Sequence, residues 1–346
     1  MTGDIAMDFR KRILAGTLVL SMVLSTTLLS LPASGGNATY EYYVDGNPDD
    51  VTTPTSAGLL LAGGNTDVAA AMQWMINKSG GGDFVVIRCT GTDAYNPWIY
   101  KQLGGVDSCE TIIFLSSEAC SDPFVIEKIR NAEALFIAGG DQWDYVSMWK
   151  GTQVEDAIHY VADKPAPVGG TSAGLAVLGE FVFSAENDTV ESDDALKNPY
   201  NRRVALARDF LSLSNMGGTI TDSHFVVRDR MGRLVTFLAR IVQDGWADAA
   251  RGIGINEKTA LGIEPNGDVT MFSLCTYGVA YFLSTPGPPE ACQSKTPLTY
   301  LDVSVYRITG TSTFNLATWE GSGGTAYTLS AEDGTLTSTQ ADGAIY

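Results

Sequence analysis

The chain has 346 residues, 45% of them hydrophobic and 18% charged, a composition that excludes intrinsic disorder and is sufficient for a sizeable core in one or two domains. With 40 acidic residues against 22 basic ones the net charge is −18, and a field of that sign repels nucleic acid phosphates and anionic lipid surfaces. Two histidines and the lack of any Cys-x-x-Cys pair leave little material for a zinc site.

Arg10, Lys11 and Arg12 precede an apolar run from Ile13 to Leu31, and Pro32-Ala33-Ser34-Gly35-Gly36 follows. A basic flank, an apolar stretch and then small residues predict a secretory signal peptide over 1–36, cleaved between Ala33 and Ala38. The rival is a membrane anchor, since the run is nearly long enough to span a bilayer. Ser21, Ser25, Thr26, Thr27 and Ser30 dilute it. The expectation is therefore a secreted or extracytoplasmic protein with no stable membrane association after cleavage. Cys89, Cys109, Cys120, Cys275 and Cys292 all follow the leader. Export permits disulfides, of which Cys109–Cys120 and Cys275–Cys292 are the local candidates, with connectivity open.

Leu59-Leu60-Leu61-Ala62 ends in Gly63-Gly64, and a helical pattern runs from Asp67 to Asn77. Phe84–Ile87, Thr111–Leu115 and Ala134–Ala138 are further apolar runs, the last ending in Gly139-Gly140. They lack polar alternation, as strands buried on both faces do. Strands alternating with helices predict an α/β fold with a mainly parallel sheet flanked by helices, its ligands gathered at the strands' carboxyl ends. Beyond Gly174, Ser184–Tyr200 reads as a loop and Val204–Leu213 as a helix. Gly252–Glu257, Val269–Leu274 and Val303–Ile308 read as strands. The Thr, Ser and Gly content past Gly310 suggests exposed β-structure or a loose tail. These features predict one domain over 57–320 and a C-terminal extension over 321–346.

Gly170-Thr171-Ser172-Ala173-Gly174 is a G-x-S-x-G segment with an apolar segment beyond it. Glycines two before and two after a serine permit a tight strand-to-helix turn that pushes the hydroxyl outward, with helix N–H groups aimed at the same spot. A serine hydroxyl needs a base, and histidine is the usual one. His159 sits in the helical pattern Val154–Tyr160, which packs on a sheet face away from the strand ends. That leaves His224. Arg228, Arg230 and Arg233 follow within a few positions, and guanidinium forks suit an anionic substrate group, or else internal ion pairs.

Four segments in order resemble the cyanophycinases, relatives of the aspartyl dipeptidase (dipeptidase E) serine peptidases. They are Ile137–Gln142, with its Gly-Gly-Asp-Gln; Gly170–Gly174; Asp222-x-His224-Phe225-x-x-Arg228-x-Arg230-x-x-Arg233-Leu234; and Gly252–Ala260. The resemblance covers roughly residues 57 to 319. It implies a fold similar to class I glutamine amidotransferases with a strand-turn-helix nucleophile elbow. It implies Ser172 as nucleophile, His224 as proton relay and Glu257 orienting His224. The amides of Gly140 and Ala173 would form the oxyanion hole, and Gln142, Asp222, Ser223, Arg228, Arg230 and Arg233 would meet the substrate. The family's substrate is cyanophycin, a polyaspartate carrying arginine through β-aspartyl bonds, cleaved to β-Asp-Arg dipeptides. The expected partner is thus a peptide or polyaspartate-type substrate, beside a homodimer, with no metal or organic cofactor and no nucleic acid.

Two positions depart from the family pattern. Ser223 stands where Gln is usual, and Asn256 where Asp is usual beside the glutamate. The first weakens the expectation of cyanophycin itself more than that of hydrolysis, and leaves other isoaspartyl or acidic peptides as the alternative. A non-catalytic binding homologue is a further alternative, although every expected catalytic position is filled. An esterase of the α/β-hydrolase type would need a different acid, such as Asp209 or Asp222, because no histidine follows Glu257.

Overall fold

The structure, a computed structural model, describes residues 38–274 and 278–346. The expected signal peptide, residues 1–36, and Cys275 with its expected bridge to Cys292 lie outside the described residues. In chain order, β1 (Tyr40–Gly46) and β2 (Gly58–Ala62) precede α1 (Ala69–Lys78), β3 (Asp83–Arg88) and β4 (Ser108–Phe114). Then come α2 (Pro123–Asn131), β5 (Ala134–Ile137), α3 (Gln142–Trp149), α4 (Gln153–Asp163) and β6 (Pro167–Thr171). The one-turn helix α5 (Ala173–Ala176) leads to β7 (Phe181–Phe183), α6 (Ser192–Lys197), β8 (Leu206–Arg208), β9 (Thr219–Asp222) and α7 (Met231–Gln243). The remaining strands are β10 (Arg251–Ile255), β11 (Thr259–Ile263), β12 (Asp268–Ser273), β13 (Val279–Ser284) and β14 (Tyr300–Thr309). Last come β15 (Thr313–Asn315), β16 (Glu320–Ser322), β17 (Thr325–Glu332) and β18 (Thr335–Ser338).

Two sheets result. The first has the order β1-β4-β3-β5-β6-β2-β11-β12-β15-β16, the second β18-β17-β14-β13-β10-β9-β7-β8. The four apolar runs of residues 58–137 fall on β2 to β5, and these with β6 form a parallel block, β4-β3-β5-β6-β2. Around that block the expectation of a mainly parallel sheet needs correction. β1 and the strands from β11 onward add antiparallel, and in the second sheet only β7–β9 and β9–β10 are parallel. Parallel pairing needs a crossover of a dozen or more residues, and the short turns between β11 and β12, β15 and β16, and β17 and β18 supply none.

Local chemistry explains the helices around the block. In α4 the buried residues Val154, Ala157, Ile158 and Val161 recur at the spacing of one helix face, and the Thr152 hydroxyl caps the start by accepting from Val154 N–H at 3.2 Å. Asp122 caps α2 in the same way, with Pro123 in the first turn. The segment read as a loop, Ser184–Tyr200, contains α6. Its Ser192, Ala195 and Leu196 are buried, and packing on α7, not periodicity, makes so short a helix. The helix expected over Val204–Leu213 does not form. Asp209 takes φ 57, which a right-handed helix cannot hold, and the segment lends β8 to the edge of β7 instead.

Residues 321–346 contribute β17, paired with β14, and β18 beyond it. The Cys109–Cys120 bridge is not formed: both thiols are free and buried. Cys109 points into the cluster around Phe84 and Phe136, while Cys120 belongs to the one around Phe114 and Trp149. These clusters lie on opposite faces of β4, because side chains alternate along a strand. Cys292 is also free.

Candidate active site

Five strand ends meet at one place, those of β2, β5, β6, β9 and β10. β6 runs into Ser172, which takes φ 54 and ψ −112 before α5 begins. Such a conformation is strained for a residue with a side chain and persists only where the surroundings enforce it. They do so here. A methyl group on Gly170 would lie 2.5 Å from the Gly174 carbonyl oxygen, and one on Gly174 would lie 2.0 Å from the Ile137 carbonyl oxygen. Both glycines of the G-x-S-x-G segment are therefore required by backbone approach.

β9 delivers His224, which is buried and has φ 48. Its backbone N–H donates to Gly63 O at 2.8 Å. Ser172 Oγ and His224 Nε2 are 2.8 Å apart, and His224 Nδ1 lies 2.7 Å from Glu257 Oε1. Burial pushes the His224 pKa below its ordinary value, and Arg228 and Arg230 add to that against the opposing pull of Glu257. For Glu257, burial works upward, but the hydrogen bonds from His224 and Asn65 outweigh it and hold the carboxyl below its ordinary value. The arrangement can accept the proton of an attacking hydroxyl on a neutral imidazole whose cation the carboxylate then stabilises.

The Gly139-Gly140 turn stands beside the serine. A methyl group on Gly139 would be 3.5 Å from Ser172 Cβ, and one on Gly140 only 2.7 Å from the Tyr145 hydroxyl. The Gly140 amide donates to no group among the described residues. The Ala173 amide opens α5, where first-turn amides have no intrahelical acceptor.

An open cleft of about 330 Å³ leads away from Ser172 and His224, and Gly140, Gln142, Ala173, Asp222, Ser223, Arg228, Arg230 and Arg233 all line it. Their states differ. Gln142 Nε2 donates to Phe183 O at 3.2 Å. Arg233 and Asp222 are 2% and 3% exposed. Nε and Nη2 of Arg233 donate to the two Asp222 oxygens at 2.7 and 2.6 Å. Their charges answer each other, so this pair is the internal ion pair and not free anion-binding capacity. Arg230 donates to Ser223 O at 2.7 Å and to Asp222 Oδ1 at 3.3 Å, and burial pushes its pKa down to about 10. Arg228 is exposed and forms no side-chain hydrogen bond or ion pair among the described residues. Ser223, shorter than the usual Gln, is buried and turned toward Arg230. His159 accepts from Ser212 N–H at 2.9 Å on α4, apart from these residues.

Three further residues brace the site, and their contacts had no counterpart in the sequence reading. Asn65 Nδ2 donates to Glu257 Oε2 at 2.6 Å, holding the oxygen that His224 does not use. Gly64, with φ 95, lies against the imidazole. Asn256 Oδ1 accepts from the N–H groups of Val226 and Val227 at 3.2 and 3.3 Å, fixing the loop that follows His224. The glycine pair ending β2 was the only sequence signal for the first two. Among the described residues no group of three or more His, Cys, Asp and Glu side chains is arranged to hold a metal ion.

A serine, a histidine and a carboxylate stand in hydrogen-bonded line at strand ends, an arrangement able to support nucleophilic hydrolysis. Residues 99–267 match the model of peptidase family S51. A cyanophycinase of Trichormus variabilis is 28% identical over 171 residues, 49% of this chain and 51% of the relative. One from Geminocystis herdmanii is 30% identical over 134 residues, 38% and 43% of the two chains. The chain thus spans about half the length of the curated relatives it matches. A peptidase structure from an acI-B1 actinobacterium aligns with a TM-score of 0.46 at 15% identity, over 76% of this chain and 98% of that one.

Proposed function

We propose that this chain is an active serine peptidase in which Ser172, His224 and Glu257 form the catalytic triad. The observation that carries the reading is the unbroken line from Ser172 Oγ to His224 at 2.8 Å and on to Glu257 at 2.7 Å. Ser172 Oγ attacks the scissile carbonyl while His224 Nε2 takes the hydroxyl proton. The tetrahedral oxyanion is held by the amides of Gly140 and Ala173. Collapse breaks the C–N bond, His224 protonates the departing amine, and water attacks the acyl-enzyme by the same route in reverse. The strained turn at Ser172 between β6 and α5 supports its reading as a nucleophile elbow, and the parallel block behind it supports a fold of the class I glutamine amidotransferase type.

The substrate in this proposal is a peptide with a carboxylate or aspartyl-derived group on the acyl side, met by Arg228 and Arg230, with Gln142 and Ser223 beside them. Cyanophycin, degraded to β-Asp-Arg dipeptides, is the first candidate, given the cyanophycinases among the relatives. The position of Ser223, folded back on Arg230 where a longer Gln would reach the cleft, favours a second reading, hydrolysis of other isoaspartyl or acidic peptides. The leader at residues 1–36 makes this an exported activity in the same proposal. Finding the protein in the cytosol with its leader intact would remove that part.

Release of β-Asp-Arg from purified cyanophycin, compared between wild type and Ser172→Ala, tests the proposal. Release abolished by the substitution supports both nucleophile and polymer. A wild type that reacts with a serine-directed phosphonate but leaves the polymer intact keeps the peptidase and selects the acidic-peptide reading. A wild type inert to both discards the triad.

A further inference from the structure

Tyr346 comes from far outside the segment that matches the peptidase family, yet it is bonded to the loop between His224 and α7. Its hydroxyl accepts from Met231 N–H at 2.9 Å and donates to Asp229 Oδ1 at 2.8 Å. Its ring meets Phe225 and Tyr281 edge-on, with centroids 6.1 and 5.8 Å away. The chain just before it is tethered too: the Tyr327 hydroxyl of β17 donates to Ile345 O at 2.9 Å, and Gln340 Nε2 to Ala344 O at 2.8 Å. Burial pushes the Tyr346 phenol well above its ordinary pKa, which keeps the donor proton in place.

The group this phenol holds is the interesting one. Asp229 lies between Arg228 and Arg230 in sequence and takes a left-handed φ of 46; its carboxylate is bonded to the Tyr346 hydroxyl and forms no ion pair with either arginine among the described residues. Asp222 pairs with Arg233 and also with Arg230, and Asp141, Asp188 and Glu191 line the same cleft, which leaves Arg228 as the one cleft arginine with no ion pair among the described residues. A carboxylate released next to Arg228 would pair with its guanidinium and compete with any substrate anion.

We propose that Tyr346 is a positioning residue for the substrate cleft: it holds Asp229 off Arg228 and so keeps the Arg228 charge open to the acidic group of the substrate. This inference rests on the peptidase reading above for its kinetic consequences, but not for its structural one.

The test compares full-length wild type, Tyr346→Phe, Asp229→Asn and the double variant. Phenylalanine keeps the ring contacts and removes only the hydroxyl. On the substrate that wild type cleaves, Tyr346→Phe raises KM about tenfold with a smaller change in kcat, the size of effect expected from freeing one charged hydrogen-bonding group. Asp229→Asn in the Tyr346→Phe background returns KM close to wild type, because the competing charge is gone. An unchanged KM in Tyr346→Phe, or a double variant no better than the single one, overturns the proposal, since a merely structural loss would not be rescued by neutralising Asp229. Hydrogen exchange of the Met231 amide provides the arm that needs no activity. Exchange speeds up in Tyr346→Phe if the brace exists in solution, and unchanged exchange rejects it. A wild type that hydrolyses nothing would fail the peptidase reading alone, with the exchange measurement still deciding this one.

Discussion

A methyl group placed on Gly64 would lie 2.6 Å from His224 Nε2 and 3.1 Å from Ser172 Cβ. Gly64→Ala therefore has to displace the imidazole from the serine, and its φ of 95 adds backbone strain. We expect kcat/KM to fall by about a hundredfold or more, with the variant still folded. Steady-state kinetics beside thermal unfolding checks this, and a folded variant with wild-type turnover would refute the placement of Gly64 against the base.

The acid limb of the pH–rate profile should report His224. Protonated, it cannot take the serine proton, and burial, with Arg228 and Arg230, holds its pKa below 6.5. kcat/KM should thus fall with decreasing pH through a midpoint below that value. Arg228→Gln removes a repelling charge, eases protonation and moves the limb upward. A limb that stays in place or moves down would show that Arg228 exerts no field on the base.

Asn65 is expected to matter through Glu257. Asn65→Ala removes the donor at 2.6 Å and should cost about tenfold in kcat. Asn65→Asp should cost more, because two carboxylates would face each other with no proton between them. Equal rates in the two variants would show that the carboxylate is oriented without Asn65.

Away from the site, Glu133 is buried and its pKa is pushed up to about 7, with the Asp83 amide and Lys164 working the other way. A carboxyl raised from 4.5 in this way contributes stability that is fully present below the lower value and is lost as pH rises through the upper one. Glu133→Gln retains an oxygen to accept from Asp83 N–H, now at 3.0 Å. The melting temperature of the variant should therefore decline less than that of wild type between pH 5 and pH 8 (roughly one ionisation's worth of linkage). Parallel melting curves at those two pH values would contradict the assignment.

The parallel block was legible because strands buried on both faces need unbroken apolar runs, and Leu59–Ala62, Phe84–Ile87 and Ala134–Ala138 are such runs. Ser172 was legible because its turn demands two glycines at fixed offsets. His224 followed from scarcity, with His159 the sole rival. What the sequence hid depends on distance in the chain. Asn65 and Glu257 meet across 192 positions, and no spacing rule links them. The three arginines looked equivalent in sequence, and only the fold separates Arg233, bound to Asp222, from the exposed Arg228. The helix expected at Val204–Leu213 failed because an edge strand of the second sheet and one left-handed residue, Asp209, outweigh local pattern.

The dipeptide that ends β2 accepts from both segments it faces: Gly63 O from the His224 amide at 2.8 Å, and Gly64 O from the Lys258 amide at 3.1 Å. His224 and the segment of Glu257 are thereby tied to one short piece of backbone at the end of β2, the strand that closes the parallel block, while Ser172 N–H reaches the same strand at Ala62 O, 3.1 Å away. The line from Ser172 through His224 to Glu257 consequently hangs on one strand end, with β2 as its keel, and a substitution that shifts β2 would move all three segments together.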